Sequence, residues 1–130
     1  MEASKYRSVL LVDDSYIDNL INRKIIEKNH FADEIIVISS PVDAISYLKE
    51  CLATNTNIPD VIFLDIRMPE MTGFEFLQEL KTIEGSDQKF KIFILSSSLD
   101  PIDIEESRKS NWVSKFISKP LTAEVLFGLG

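Results

Sequence analysis

Short apolar runs and helical patterns alternate five times along this chain, and that alternation restricts the fold more than any other feature of the sequence. Residues 8–12 form an unbroken apolar run of the kind found in a strand buried on both faces. Residues 16–28 then carry Ile17, Leu20, Ile21, Ile25 and Ile26 at helical spacing. Residues 34–38 read as a second strand. Ser40-Pro41-Val42-Asp43 opens the next helix with a cap, a proline at the first helical position and an acid in the first turn. Ala44, Ile45, Leu48, Cys51 and Leu52 supply its apolar stripe. The Ile58-Pro59 break introduces a third strand at 61–64, and a helix over 73–83 follows with Phe76, Leu77, Leu80 and Ile83 on one face. A polar turn at 84–88 leads to a fourth strand at 90–95. Asp100-Pro101-Ile102-Asp103 starts a helix by the same capping logic, a fifth strand occupies 113–118, and a last helix begins over 121–126. Its Gly128 and Gly130 predict an early end.

Five such units in 130 residues predict one α/β domain over 1–130, with a core from about 8 to 126. The architecture expected is a doubly wound, five-stranded parallel sheet with helices on both faces. Hydrophobic residues make up 45% of the chain, enough for one buried core. No apolar stretch approaches the roughly 18 to 20 residues of a membrane span, so no membrane is expected as a partner. The polar segment 1–7 does not read as a signal peptide. A single cysteine, Cys51, suits a reducing compartment, and the cytoplasm is the expected location. Fourteen Lys and Arg against 21 Asp and Glu give a net charge of −7, which argues against nucleic acid as a partner.

Parallel strands joined by right-handed crossovers place all strand C-termini on one edge, and ligands sit there where the strand order reverses. For the order 2-1-3-4-5 that point lies between the first and third strands. Past the first strand come Asp13 and Asp14; past the third, Asp65; past the fourth, Ser96, Ser97 and Ser98; past the fifth, Lys119 and Pro120. Three carboxylates brought together repel unless something compensates, and a hard divalent cation with oxygen ligands is the simplest compensation. Each piece alone has a plainer reading: Asp14 or Ser15 as a helix cap, the serines as turn residues, Lys119 as surface. Their shared edge favours a site.

Val12-Asp13-Asp14-Ser15, Leu64-Asp65-Ile66-Arg67-Met68-Pro69 with Gly73, Leu95-Ser96 and Ser118-Lys119-Pro120 together resemble the receiver domain of two-component response regulators, a flavodoxin-like fold. The resemblance covers the chain from about Ser8 to Leu126. It implies that Asp65 attacks a phosphohistidine and becomes an aspartyl phosphate. It implies Mg2+ held by Asp13, Asp14, Asp65 and the backbone carbonyl of Arg67, with Lys119 paired to the phosphate, and a cis Lys119-Pro120 bond. Ser96 takes the place of the hydroxyl that turns toward the phosphate, with a slip to Ser97 open, and Phe116 that of the aromatic switch residue. The implied donor is a sensor histidine kinase or a histidine phosphotransfer protein. The output is a surface around the fourth and fifth helices, read by a downstream protein or by a second copy of the chain as a homodimer. On this reading the domain is a phosphoacceptor and not an enzyme with a separate substrate.

Arg67 is a large cation beside the acceptor, read either as shaping the approach of a hydrolytic water or as bridging to nearby acids. Asn111-Trp112 stands where a Gly-Ala step is common in the family. Trp112 reads as a packing or loop residue, His30 as a helix-terminal residue and Cys51 as core. Two other functions compete. A degenerate receiver would bind partners without phosphorylation, against which the complete set of Asp13, Asp14, Asp65, Ser96 and Lys119 argues. A haloacid-dehalogenase-like phosphatase would place Asp-x-Asp where this chain has Asp13-Asp14-Ser15.

Overall fold

The computed structural model describes residues 4–87, 89–97 and 100–129. Ser98, like the terminal residues 1–3 and 130 and Gln88 of the polar turn, lies outside the described residues. Among the described residues five strands, β1 (Tyr6–Val12), β2 (Ala32–Ile38), β3 (Val61–Leu64), β4 (Lys91–Ser96) and β5 (Val113–Ser118), alternate with five helices. The helices are α1 (Tyr16–Lys28), α2 (Pro41–Thr54), α3 (Gly73–Lys81), α4 (Pro101–Lys109) and α5 (Ala123–Gly128). All strand pairs are parallel, in the order β2-β1-β3-β4-β5. This is the expected doubly wound sheet.

Alternate residues of the central strands feed opposite faces, as the two-residue period of a strand requires. Leu10, Val12, Ile62, Leu64, Ile92 and Ile94 pack with Ala44 and Leu48 of α2 and Phe76 and Leu80 of α3. Val9, Leu11, Val61, Phe63, Phe93 and Leu95 pack on the other face with Ile26 of α1 and Leu126 of α5. Cys51 is buried, and Trp112 is half-buried against the first cluster. His30 sits just past α1 in a left-handed conformation, its N–H bonded to Glu27 O.

The structure moves several expected boundaries. β1 and β2 start two residues earlier than their apolar runs, because Tyr6 pairs with Ala32 in register. α3 stops at Lys81, short of Ile83, where the Thr82 hydroxyl donates to Glu79 O at 2.6 Å and closes the helix. β4 is shifted one residue toward the functional edge, so Ser96 pairs with Ser118 inside the ladder. α5 starts at Ala123, not at 121, because Thr122 caps it by accepting from Val125 N.

The larger correction concerns the phase of α1. Of its expected stripe only Ile26 is fully buried, while Ile17 is 65% exposed and Leu20 and Ile21 lie on the solvent side. Asn19 and Asn22 face inward with Ile26. The cause lies at the first turn, where Ser15 caps the helix and Asn19 Nδ2 donates to the Asp13 carbonyl at 2.8 Å. Those bonds fix the rotation of the helix about its axis, and the apolar residues out of phase with Asn19 are left in water.

Candidate functional site at the C-terminal edge of the sheet

Asp13 follows β1 directly and is 4% exposed. Its Oδ1 accepts from Ser15 N at 2.9 Å, which aims the carboxylate back over the end of the strand. Asp14 points into solvent. Asp65 follows β3, is 6% exposed, and is placed by its own N–H, which donates to the Val12 carbonyl at 3.0 Å. The two central strands are thus tied together at the position where both acids emerge. Gly73 makes room for this: a Cβ there would lie 2.6 Å from the Asp65 carbonyl oxygen. Its N–H donates to Ile66 O at 2.9 Å, so α3 begins in contact with the backbone of the Asp65 loop.

One carboxylate oxygen from each of Asp13, Asp14 and Asp65 lies within 4.8 Å of the others. An all-oxygen set of this kind suits a hard divalent cation. Lys119 reaches the same place from β5. Its Nζ lies 2.6 Å from Asp13 Oδ2, 2.8 Å from Asp18 Oδ2 and 3.5 Å from Asp65 Oδ1. The Lys119-Pro120 bond is cis, and Lys119 N donates to the Ser96 carbonyl at 2.9 Å. Burial lifts the Asp65 carboxyl to about 6, with the Asp13 charge adding to the lift and Lys119 opposing it. Burial works the other way on the Lys119 ammonium, but its hydrogen bonds to Asp13 and Asp18 prevail and hold it above the ordinary lysine range.

Asp13, Asp14, Asp65 and Lys119 therefore meet on one edge. Ser96 is the last residue of β4 and fully buried, whereas Ser97 is exposed. Phe116, on β5, is half-buried against the first core cluster. Arg67 turns its side chain along the surface to the start of α4: Nη2 donates to Asp103 Oδ2 at 2.6 Å and lies 3.7 Å from Asp100 Oδ2. Of its two readings, the bridge to nearby acids is the arrangement found.

Two residues of the site were missed from sequence. Asp18 pairs with Lys119 but reads as an ordinary first-turn acid. Asn19 reads as one polar residue among several on α1. Its Nδ2 holds the Asp13 carbonyl, while its buried Oδ1 has no hydrogen-bond partner among the described residues. The available signal was their spacing from Ser15, three and four residues on, which places both in the turn that the cap orients.

Comparison with known proteins agrees with this geometry. A two-component response regulator from Cytophaga hutchinsonii has a crystal structure that superposes with a TM-score of 0.88, at 39% identity over 95% of this chain and 93% of that one. The probable methanogenesis regulatory protein FilR2 of Methanothrix harundinacea is 26% identical over 97% of this chain and 80% of its own length. A protein-glutamate methylesterase/protein-glutamine glutaminase of Burkholderia thailandensis is 39% identical over 72 residues, and there the chain spans only 18% of the relative's length. The family model of the response regulator receiver domain matches residues 9–129, from within β1 to beyond the end of α5. A match of that extent removes the haloacid-dehalogenase alternative: this chain belongs to the response regulator receiver domains of two-component signalling.

Proposed function

We propose that Asp65 takes a phosphoryl group from a sensor histidine kinase or a histidine phosphotransfer protein in the cytoplasm, and that the phosphorylated domain acts through a protein partner. The observation that carries this reading is the convergence of Lys119 and two further carboxylates, Asp13 and Asp14, on Asp65. Asp65 Oδ attacks phosphorus, the phosphorus–nitrogen bond of the donor breaks, and the pair of electrons leaves with the imidazole. Lys119 stands ready to neutralise charge on the equatorial oxygens. Mg2+ is the cation we assign to Asp13, Asp14, Asp65 and the backbone carbonyl of Arg67; when bound it supplies further charge neutralisation at the transferred group.

The donor has to reach Asp65 from solvent. Beside the acidic edge, the outward face of α1 presents Tyr16, Ile17, Leu20 and Ile21, all exposed. An apolar face of this extent next to the acceptor fits the docking of an amphipathic partner helix. After transfer, the new dianion attracts the Ser96 hydroxyl, and Phe116 moves further inward. That change biases the surface formed by α4 and α5, the expected output face.

The test is intact mass. Incubation with Mg2+ and a small acyl-phosphate donor adds one phosphoryl group to the wild type and none to Asp65→Asn. Equal gain by both proteins rules out Asp65 as the nucleophile, and gain by neither moves the phosphorylation-independent reading ahead.

A further inference from the structure

α4 is held differently from the other helices. Neither core cluster draws a residue from it, and among the described residues it buries only Asp103 and Ser107. Its Ile102 is 70% exposed. A short helix without a buried apolar stripe owes its place to polar contacts and opens readily. One such contact comes from across the edge. Arg67 donates to Asp103 at 2.6 Å and approaches Asp100, the residue that caps α4 by accepting from Ile102 N. Arg67 stands only two positions after Asp65.

We infer that Arg67 is a charge-operated latch on α4, released when the acceptor two residues away becomes a phosphoryl dianion. This rests on the reading of Asp65 as phosphoacceptor. Two residues of chain span at most about 7 Å, within the reach of an arginine side chain. A phosphoryl group offers a guanidinium more charge and more acceptor oxygens than the carboxylates it holds at rest. The other half of the device is Asp103, a residue 7% exposed. Departure of the guanidinium removes a short charged contact from this buried carboxylate, and the first turn of α4 loses that tie to the Asp65 loop. The backbone carbonyl of Arg67, assigned above to the metal, takes no part in this motion. The latch thus reaches α4 by side-chain charge, separately from the route through Ser96 and Phe116.

Hydrogen exchange of the α4 amides in the full chain tests this, using wild type, Arg67→Gln, Asp103→Asn and the double variant. Before any donor is added, each single variant exchanges about fivefold faster in α4 than wild type. The double variant is no faster than either single one, because the two residues act as one pair. With Mg2+ and a small acyl phosphate, wild type rises to the rate of the variants. The phosphorylated fraction is read by intact mass on the same sample. Unchanged α4 exchange in both single variants, additive effects in the double, or a fully phosphorylated wild type that keeps its α4 protection overturns the latch alone. No added mass on wild type instead overturns the acceptor reading, and the release step with it, while the resting contrast between wild type and the single variants still reports on the pair.

Discussion

Lys119 Nζ is bonded to Asp13 Oδ2 at 2.6 Å and stands 3.5 Å from Asp65 Oδ1. The lysine is thus anchored on the carboxylate that follows β1 and held just off Asp65. Burial, only partly offset by the lysine at that distance, holds the Asp65 carboxyl up at about 6, while the bonds to Asp13 and Asp18 keep Lys119 charged. It also separates the consequences of altering either residue.

Asp65 is raised by burial from 3.8 to about 6. Between those values the folded state binds more protons than the unfolded chain, so this residue's contribution to stability falls as pH rises through that window. Above it the ionised carboxylate is a net cost. In metal-free protein, Asp65→Asn is therefore more stable than wild type at pH 7, on the order of 2 kcal/mol. The difference disappears near pH 4. Denaturant melts across this range check it, and a variant less stable than wild type at pH 7 contradicts it.

The same shift bears on the cation. Mg2+ affinity, followed by calorimetric titration, weakens as pH falls through about 6, where Asp65 takes up a proton. Affinity flat from pH 7.5 to about 5 would remove Asp65 from the ligand set.

Lys119→Met leaves Asp13 and Asp65, both buried, without their shared cation. The expected loss is about 3 kcal/mol in metal-free protein. Saturating Mg2+ recovers part of it, since the metal supplies the missing positive charge. An unchanged unfolding midpoint would mean that the two carboxylates are compensated by something else.

Gly73→Ala puts a methyl group 2.6 Å from the Asp65 carbonyl oxygen, inside contact distance. Helix propensity favours the alanine, yet the Asp65 loop has to shift to admit it. Phosphoryl transfer from a small donor falls at least about tenfold, because in-line attack is sensitive to displacement of the nucleophile. A transfer rate equal to wild type would show that the loop accommodates the methyl without moving Asp65.

Leu20→Glu and Ile21→Glu act on the exposed face of α1. Stability changes by less than about 0.5 kcal/mol, as at other solvent-facing positions. Transfer from a phosphohistidine protein slows, and transfer from a small acyl phosphate stays at the wild-type rate. Equal slowing with both donors would place the effect in the acceptor site instead of in docking.

The sheet and the acidic edge were legible in the sequence because both depend on where apolar runs stop. Asp13 and Asp65 each stand directly after such a run, Lys119 follows the Phe116-Ile117 pair with one serine between, and topology then brings the three together. What was not legible depends on rotation and on contacts between loops. The phase of α1 is set by the bonds of Ser15 and Asn19 to its first turn and to Asp13, so the apolar periodicity of the helix pointed to the wrong face. The pairing of Lys119 with Asp18 follows from that same phase. Arg67 reaches an acid 36 positions away, on a helix whose packing is polar and therefore leaves no hydrophobic pattern to read.

In the proposed reaction one carboxylate among three takes the phosphoryl group. Borohydride reduces an acyl phosphate to the alcohol, so a phosphorylated aspartate is recovered as homoserine. Trypsin then separates the candidates, with Asp65 in the peptide 50–67 and Asp13 and Asp14 in 8–23. After treatment with Mg2+ and an acyl-phosphate donor, homoserine is expected at position 65 and unmodified aspartate at 13 and 14. Homoserine at 13 or 14, or none in either peptide from protein shown by mass to be phosphorylated, would contradict it.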